Sequence, residues 1–434
     1  MALPTIYVDT AGSATNSGSS DNNAADVSGA AAACNPSSTT VDLSVDAPDL
    51  SAVPTDGSAT IYLVGATNSN QKIFRITGTD NIAKTVTVDT APTGNFTGSA
   101  WAIGGRFVWT TASIEGALKA GWTVIFNNSV ASSASAIITA RNSGDSTNGM
   151  ITIRGKTGVR PVLTCTGTVN VIAPNSQTYW RIENLELVQQ GASGNALDCG
   201  ANWIGNNTKV SDAGASGISM GANTSSIMAS EVSGTVTGIT GGNSGVVVDV
   251  SGCYIHDVSG DGFVSNAANP TGTVRNSILD SCGGRGLNFS SGSATTSTRM
   301  MLDGLTVYGC GDSGLEVATA KMIILQNSIF SENGNAAGEY NVEFTSAVTE
   351  AMAPHSNNIF YKSSGNNILN LTTNSTESTS DPLLTDPANG DFTLQSGSPA
   401  KATGFPGTFL GGPTGYLDMG AVQRKEPSVG VIGS

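Results

Sequence analysis

The sequence predicts an all-β protein built as a parallel β-helix, with a small antiparallel β module inserted near the N-terminus, and three observations carry that prediction. First, between residues 216 and 340 a glycine followed by an apolar or part-apolar position returns as Gly217-Ile218, Gly238-Ile239, Gly262-Phe263, Gly286-Leu287 and Gly314-Leu315, then more weakly as Gly338-Glu339-Tyr340. The intervals are 21, 24, 24, 28 and 24 residues, inside the range of roughly 20–50 in which a fixed period marks a solenoid. Second, a β-branched column precedes the glycines: Val210, Ile255, Ile278 and Val307 lie 7, 7, 8 and 7 residues before Gly217, Gly262, Gly286 and Gly314, with further runs at Ile329 and Ile359. Third, Val274–Leu279 and Ile323–Phe330 alternate or run apolar over lengths that suit strands, not helices. Each coil then reads as a strand, a tight polar bend, a second strand opening at the glycine and a longer loop back. Such coils stack in parallel and bury their apolar side chains inside.

Composition narrows the function classes. Charged residues are 12% of the 434 and glycine fills 54 positions; the charged share is about half the usual quarter. With 38% apolar residues in strand-length runs, the abundant Ser, Thr, Asn and Gly are turn formers and exposed strand faces, not a disordered composition. A net charge of −14 with no run of Lys or Arg argues against nucleic acid as a partner. No apolar run approaches the ~18 residues that cross a bilayer, so membrane insertion is not expected. Met1 to Asp9 lack the basic-then-apolar pattern of a signal peptide, so none is expected. Cys34, Cys165, Cys199, Cys253, Cys282 and Cys310 form no C-x-x-C pair and no metal spacing with His256 and His355. They are expected as free buried thiols of a protein made in a reducing cytosol, Cys282 and Cys310 being near neighbours on successive coils. No metal or other cofactor is implied.

In chain order, residues 1–38 hold a short strand from Ile6 to Asp9 and a polar tract. Residues 39–105 read as the small antiparallel module, with short strands at Thr40–Leu43, Ala59–Val64, Lys72–Ile76 and Lys84–Val88 between turn signals. Residues 106–370 read as the β-helix. It opens with a candidate capping helix over 113–121: Ile114, Ala117 and Leu118 share a face, Thr111 or Ser113 caps the start and Gly121 the end. Such a lid covers the unpaired apolar end of a solenoid. Met150–Gly155 and Trp180–Leu187 then read as first coils. Residues 371–434 lose the period, gain Pro and Gly, and read as a C-terminal cap and tail.

Two stretches carry a resemblance. Thr123-Val124-Ile125-Phe126, followed by Ile151 to Leu163, resembles the first coils of right-handed parallel β-helix proteins of the pectin-lyase-like superfamily. Asp381-Pro382-Leu383-Leu384 through Asp386 to Ala400 and on to Asp418-Met419-Gly420-Ala421 resembles the closing segment of the choice-of-anchor Q group, and is similar to β-helix proteins of bacteriophages. Together these cover residues 106–423 and imply a right-handed β-helix; fold alone does not assign function.

Relatives that cleave acidic polysaccharides use carboxylates holding Ca²⁺ with a basic proton abstractor, or clustered Asp residues as general acid and base. Either needs like groups converging on one strand face, where successive coils lie about 4.8 Å apart. Counting from the columns, Asp257 and Asp280 are placed to stack, and so are Asp261 and Arg285, each just before a column glycine. The next coils put Gly309 and Ser331 in the first column and Ser313 and Ala337 in the second, so neither column persists. The catalytic candidates are therefore Asp257, Asp261, Asp280 and Arg285, with Asp312 and Glu316 beside them; the competing reading is turn geometry. His256 next to Asp257 reads as an exposed strand histidine. Tyr254, Tyr308, Tyr340 and Trp203 are candidates for sugar stacking or for filling gaps between strands. The stretch from Asp386 to Asp391 reads as a turn before a Ca²⁺ loop, since it lacks spaced carboxylates.

The reading these observations favour is a bacteriophage virion surface protein, a head-decoration, spike or fibre component without catalysis, made in the host cytoplasm. Its expected partners are other virion proteins and host surface polysaccharide. The oligomeric state stays open, with a homotrimer as the form the resemblance suggests and 427–432 as a strand able to reach a neighbour. The alternative is a polysaccharide depolymerase, lyase or hydrolase, of the tailspike type, and a third reading is a bacterial adhesin.

Overall fold

A computed structural model describes residues 3–13, 17, 19–21, 25–34, 38–43, 49–63, 73–92, 96–105, 109, 118–133, 135–221, 224–241, 247–265, 271–289, 299–318, 322–349, 351–405 and 417–423. The chain divides into two compact units, residues 1–214 and 215–434. Both contain coils of the parallel β-helix that the sequence predicts, and the first holds the antiparallel module as well. Among the described residues there is no α-helix, and no helix long and apolar enough to cross a membrane.

In the first unit, Thr5–Val8 is the first rung: it pairs in parallel with Thr123–Phe126, followed by Ile151–Gly155, Trp180–Glu183 and Ile204–Asn206. Between the first two rungs stands the antiparallel module, in which Val27–Cys34, Thr40–Asp42, Thr60–Leu63, Ile73–Asp80, Thr85–Val88 and Phe96–Ile103 close into a barrel. Val41, Ile61, Phe74, Ile76, Val86 and Trp101 fill it. Most of the expected capping helix, residues 111–117, lies outside the described residues; Leu118 is buried and the chain turns at Ala120 and Gly121. Trp203, a candidate for sugar stacking, is instead core: it stacks on Trp180 at 5.5 Å, and its indole donates to the Gln177 carbonyl.

In the second unit each coil passes through three sheets. Sheet 1 stacks Ser225–Met228, Val247–Ser251, Thr271–Arg275, Arg299–Asp303, Met322–Gln326 and His355–Ser356. Sheet 2 stacks Glu231–Ser233, Tyr254–His256, Ile278–Asp280, Thr306–Tyr308, Ile329–Ser331 and Ile359–Tyr361. Sheet 3 stacks Ser216–Met220, Thr237–Gly241, Phe263–Ser265, Leu287–Phe289, Leu315–Val317, Val342–Phe344 and Ile368–Leu369. Inward positions form continuous apolar columns, such as Val232, Ile255, Leu279, Val307, Phe330 and Phe360, all fully buried. Burial of each such side chain stabilises by roughly 1.5–3 kcal/mol.

The glycine column opens sheet 3, where a side chain has no room. A Cβ on Gly238 would stand 2.3 Å from the Gly262 carbonyl oxygen, and one on Gly262 2.8 Å from both the Gly286 carbonyl and Cys282 Sγ. The last member differs from expectation. Leu315 pairs with Val342, so Asn341 and not Gly338 occupies the column. Asn341 turns its amide along the stack, accepting from Asn333 and donating to the Tyr361 carbonyl and Asn367.

Two bends per coil explain the Asn and Gly content. Between sheets 1 and 2 the residues Ala229, Gly252, Asn276, Gly304, Asn327 and Asn357 all have left-handed φ, from 47° to 62°. Gly234, Asp257, Ser281, Gly309 and Glu332 do the same after sheet 2. Left-handed backbone costs an ordinary L-residue roughly 1–2 kcal/mol, less for Asn. Ala229 alone in the first series has neither glycine's freedom nor an amide side chain. Ala229→Asn is therefore expected to stabilise the protein by about 0.5–1 kcal/mol, read as a raised thermal midpoint.

The C-terminal segment lies along the outer face of sheet 2. Leu384–Asp386 and Asp391–Leu394 pair antiparallel about the turn at Pro387–Asn389, with Asp386 accepting from Asn389 and Asp391 from Thr393. Leu384, Phe392, Ala400 and Met419 pack on Ile329 and Ile359. Sheet 2 is thus apolar on both faces over much of its length.

Candidate functional site

The six candidate residues fall into two constellations on either side of the corner between sheets 2 and 3. The first is on the outer face of sheet 2. His256 pairs with Asp280, and Tyr254 with Ile278, so the inward column runs through Leu279 and the expected stacking of Asp257 on Asp280 does not occur. Asp257 lies one residue beyond the strand, in the left-handed bend, with φ of 51°. Turn geometry accounts for it. The same register puts Tyr308, not Gly309, in the column between Asp280 and Ser331.

Asp280 is 7% exposed. One carboxylate oxygen accepts the Tyr254 hydroxyl at 3.0 Å and the other accepts Ser281 Oγ at 2.8 Å. His256 is not the exposed strand histidine expected: it stacks on Tyr254 at 4.1 Å, with Nδ1 2.8 Å from Asp257 and Nε2 3.5 Å from Glu231. Tyr254 and Tyr308 both meet the edge of Phe392, at 6.3 and 5.9 Å. The C-terminal hairpin therefore covers part of these two candidate stacking rings.

Burial raises the Asp280 carboxyl, against the lowering effect of its two hydroxyl partners. A folded-state value above the unfolded one contributes stability that is present below the unfolded value and lost as pH rises through the folded one. Asp280→Asn removes the charge and keeps an acceptor for Tyr254. Its thermal midpoint relative to the parent is expected to improve as pH rises from about 4 to about 7.

The second constellation opens sheet 3. As expected, Asp261 and Arg285 stack: Gly262 N donates to the Arg285 carbonyl, and Arg285 N donates to Asp261 Oδ1 at 2.7 Å. The Arg285 guanidinium lies 3.9 Å from Asp261 and donates through Nε to Glu316, which is 8% exposed. Asn288 donates to the second Asp261 oxygen at 2.6 Å, and Asp312 adds its charge nearby. Burial opposes the charge on Arg285, but Glu316, Asp261 and Asp312 outweigh it and hold the guanidinium above its ordinary value. A guanidinium so held neutralises the carboxylates around it.

Two further carboxylates, Glu343 and Glu339, were not legible in the sequence, and Ser313, placed by the column count, meets both. Glu343 is the register neighbour of Glu316 on the next strand. Ser313 Oγ lies 2.9 Å from both Glu343 and Glu339. Burial, with the charges of Glu316 and Glu339, raises the Glu343 carboxyl against the Ser313 hydrogen bond. The continuation of this column is Tyr340, not Ala337, since Gly286 N bonds the Ser313 carbonyl and Gly314 N bonds the Tyr340 carbonyl. Counting from Gly338 hid the Glu316–Glu343 pair; counting from Asn341 reveals it. Among the described residues, no three His, Cys, Asp or Glu side chains are arranged to hold a metal ion.

The described cysteines, Cys165, Cys199, Cys253, Cys282 and Cys310, are buried free thiols. Cys282 and Cys310 are neighbours as expected, and that contact, with burial, raises the Cys282 thiol. Burial pushes Cys253 up to about 11. Such thiols are poor nucleophiles.

No family model and no curated protein sequence matches the chain. Among solved structures it is similar to pectate lyase Pel9A, at 11% identity and a TM-score of 0.49 over 72% of this chain and 90% of that one. It is similar also to the tailspike protein gp49 from Pseudomonas phage LKA1, at 11% identity and a TM-score of 0.26 over 87% and 71% of the two chains. The catalytic unit of a thermostable GH87 alpha-1,3-glucanase from Streptomyces thermodiastaticus strain HF3-3 gives 11%, a TM-score of 0.20, and 82% and 88%. No residue role is carried across at that identity.

Proposed function

We propose that the chain is a surface component of a bacteriophage virion, a head-decoration, spike or fibre protein, acting through the outer surface of its β-helix without cutting a glycan. The observation that carries this reading is that the carboxylates a glycan-cleaving site needs are engaged within the fold. Asp261 and Glu316 hold Arg285, Asp280 holds Tyr254 and Ser281, and Asp257 turns the chain. Columns of buried apolar side chains and coil-to-coil amide hydrogen bonds give the stiff, repetitive body such a role needs. The buried thiols suit assembly in the reducing host cytoplasm. Its partners in this reading are other virion proteins, host surface polysaccharide and further copies of itself, as a trimer.

One observation favours the alternative depolymerase. Glu343, with its raised carboxyl, lies beside Glu316 and near Arg285, an acid and a carboxylate in adjacent positions. The test of the first reading is the copy number of the polypeptide in purified source particles, by quantitative mass spectrometry against the major capsid protein. A number of the same order as capsid protein supports head decoration, and a few copies per particle supports a spike or fibre. Absence from the particle overturns the reading.

A further inference from the structure

Beyond the predicted candidates, one cavity of about 210 Å³ opens on the outer face of sheet 2 beside the C-terminal hairpin. Its walls come from one register column. Tyr308 pairs with Ser331, and Ser331 with Tyr361, so two tyrosines stand two strand spacings apart with a small residue between them. That separation is about 9.6 Å at ordinary strand spacing. A sugar ring seated over Ser331 would stand one strand spacing, about 4.8 Å, from the strand that carries each tyrosine, close enough for its CH faces to meet the aromatic rings. Ser331, 3% exposed, lines the cavity together with Glu332, Asp381, Leu384 and Pro387.

The charge of the slot selects its occupant. Glu332 accepts from the backbone and hydroxyl of Ser363, and Asp381 from the Leu383 backbone, all neutral donors. Both residues line the cavity and both act on Tyr361, while Glu332 acts also on Lys362. An anionic sugar brought here meets like charge in a half-enclosed space, while hydroxyls and amines meet acceptors.

The geometry points to a one-residue carbohydrate subsite between Tyr308 and Tyr361 for a sugar without an anionic group, with an amino sugar favoured over its N-acetylated form. Its biological meaning rests on the glycan-contacting surface proposed above, but its binding test is independent of the particle count. A sugar's apolar CH faces stack on the two rings, Ser331 Oγ reaches a ring hydroxyl, and Glu332 and Asp381 accept from hydroxyls or an ammonium group.

The experiment is isothermal titration calorimetry of the full chain with three probes: a glucosamine oligomer, the matching N-acetylglucosamine oligomer and a galacturonate oligomer. The expected order is glucosamine, then N-acetylglucosamine, with no galacturonate binding. Ser331→Leu fills the slot and is expected to weaken the first two at least tenfold. Tyr361→Ala, at a partly exposed position, provides the same loss if Ser331→Leu fails to fold. Glu332→Gln is expected to reduce the preference for glucosamine and leave N-acetylglucosamine within about twofold. Galacturonate binding as tight as the others, no binding of any probe, or full binding by a folded slot variant would overturn the proposal.

Discussion

Gly286→Val is expected to cost about 3 kcal/mol or more and to lower the unfolding midpoint by several degrees. A Cβ at Gly286 falls 2.5 Å from Val307 Cγ1 and 2.6 Å from the Gly314 carbonyl oxygen. That oxygen accepts from Leu287 N, so the new atom displaces the hydrogen bond that joins one rung to the next. Neither neighbour is the free end of a flexible side chain. Each coil of a solenoid is stabilised mainly by its neighbours, so a misplaced rung weakens both interfaces it makes. Gly338→Ala is the control. Gly338 has φ of 93° but nothing within 4 Å of its Cβ position, so only backbone strain of about 1 kcal/mol applies. Chemical denaturation of the two variants measures the contrast. Equal losses would contradict the assignment of Gly286, and not Gly338, to the column.

Arg285→Ala is expected to cost about 2–3 kcal/mol at neutral pH. The side chains of Glu316 and Asp261 are 11% and 17% exposed, and the guanidinium lies against both. Removing it leaves two carboxylates poorly solvated and unneutralised, with Glu343 next to Glu316 adding to the repulsion. The deficit is expected to shrink towards about pH 4, where unpaired carboxyls take up protons. Adding Glu316→Gln to the arginine variant should recover about 1 kcal/mol or more, since the two sites share a contact. Urea unfolding of parent, single and double variants at the two pH values tests this. Unchanged stability in Arg285→Ala would contradict a framework role for the cluster.

The glycine column was legible because its cause is local and strict: a backbone oxygen of the next coil stands where a Cβ would go. The Asp261–Arg285 pair followed from that column by counting. The strand column was harder to read. Ile278 stands in the sequence column where Leu279 faces the core, and the interval of 8 among 7s marks the slip, since Leu279 restores 7. Both positions are apolar because sheet 2 is covered outside as well as inside. Ile278 packs against the C-terminal segment with Tyr254, Tyr308 and Tyr361. A strand buried on two faces loses the alternation that fixes its facing. The Glu316–Glu343 pair stayed hidden for another reason: in the last coil an asparagine ladder through Asn333, Asn341 and Asn367 replaces the glycine, and its hydrogen bonds are not a sequence signal.

The central claim, that these charged clusters hold the coils together and do not cut a glycan, is tested most directly by product release. The full chain is incubated with a panel of capsular and lipopolysaccharide glycans, and reducing ends and unsaturated products are measured beside Asp261→Asn and Glu316→Gln. The account predicts no release by any of the three proteins, with the two variants changed only in stability. Release by the parent that is lost in folded variants would contradict it and place the depolymerase reading first.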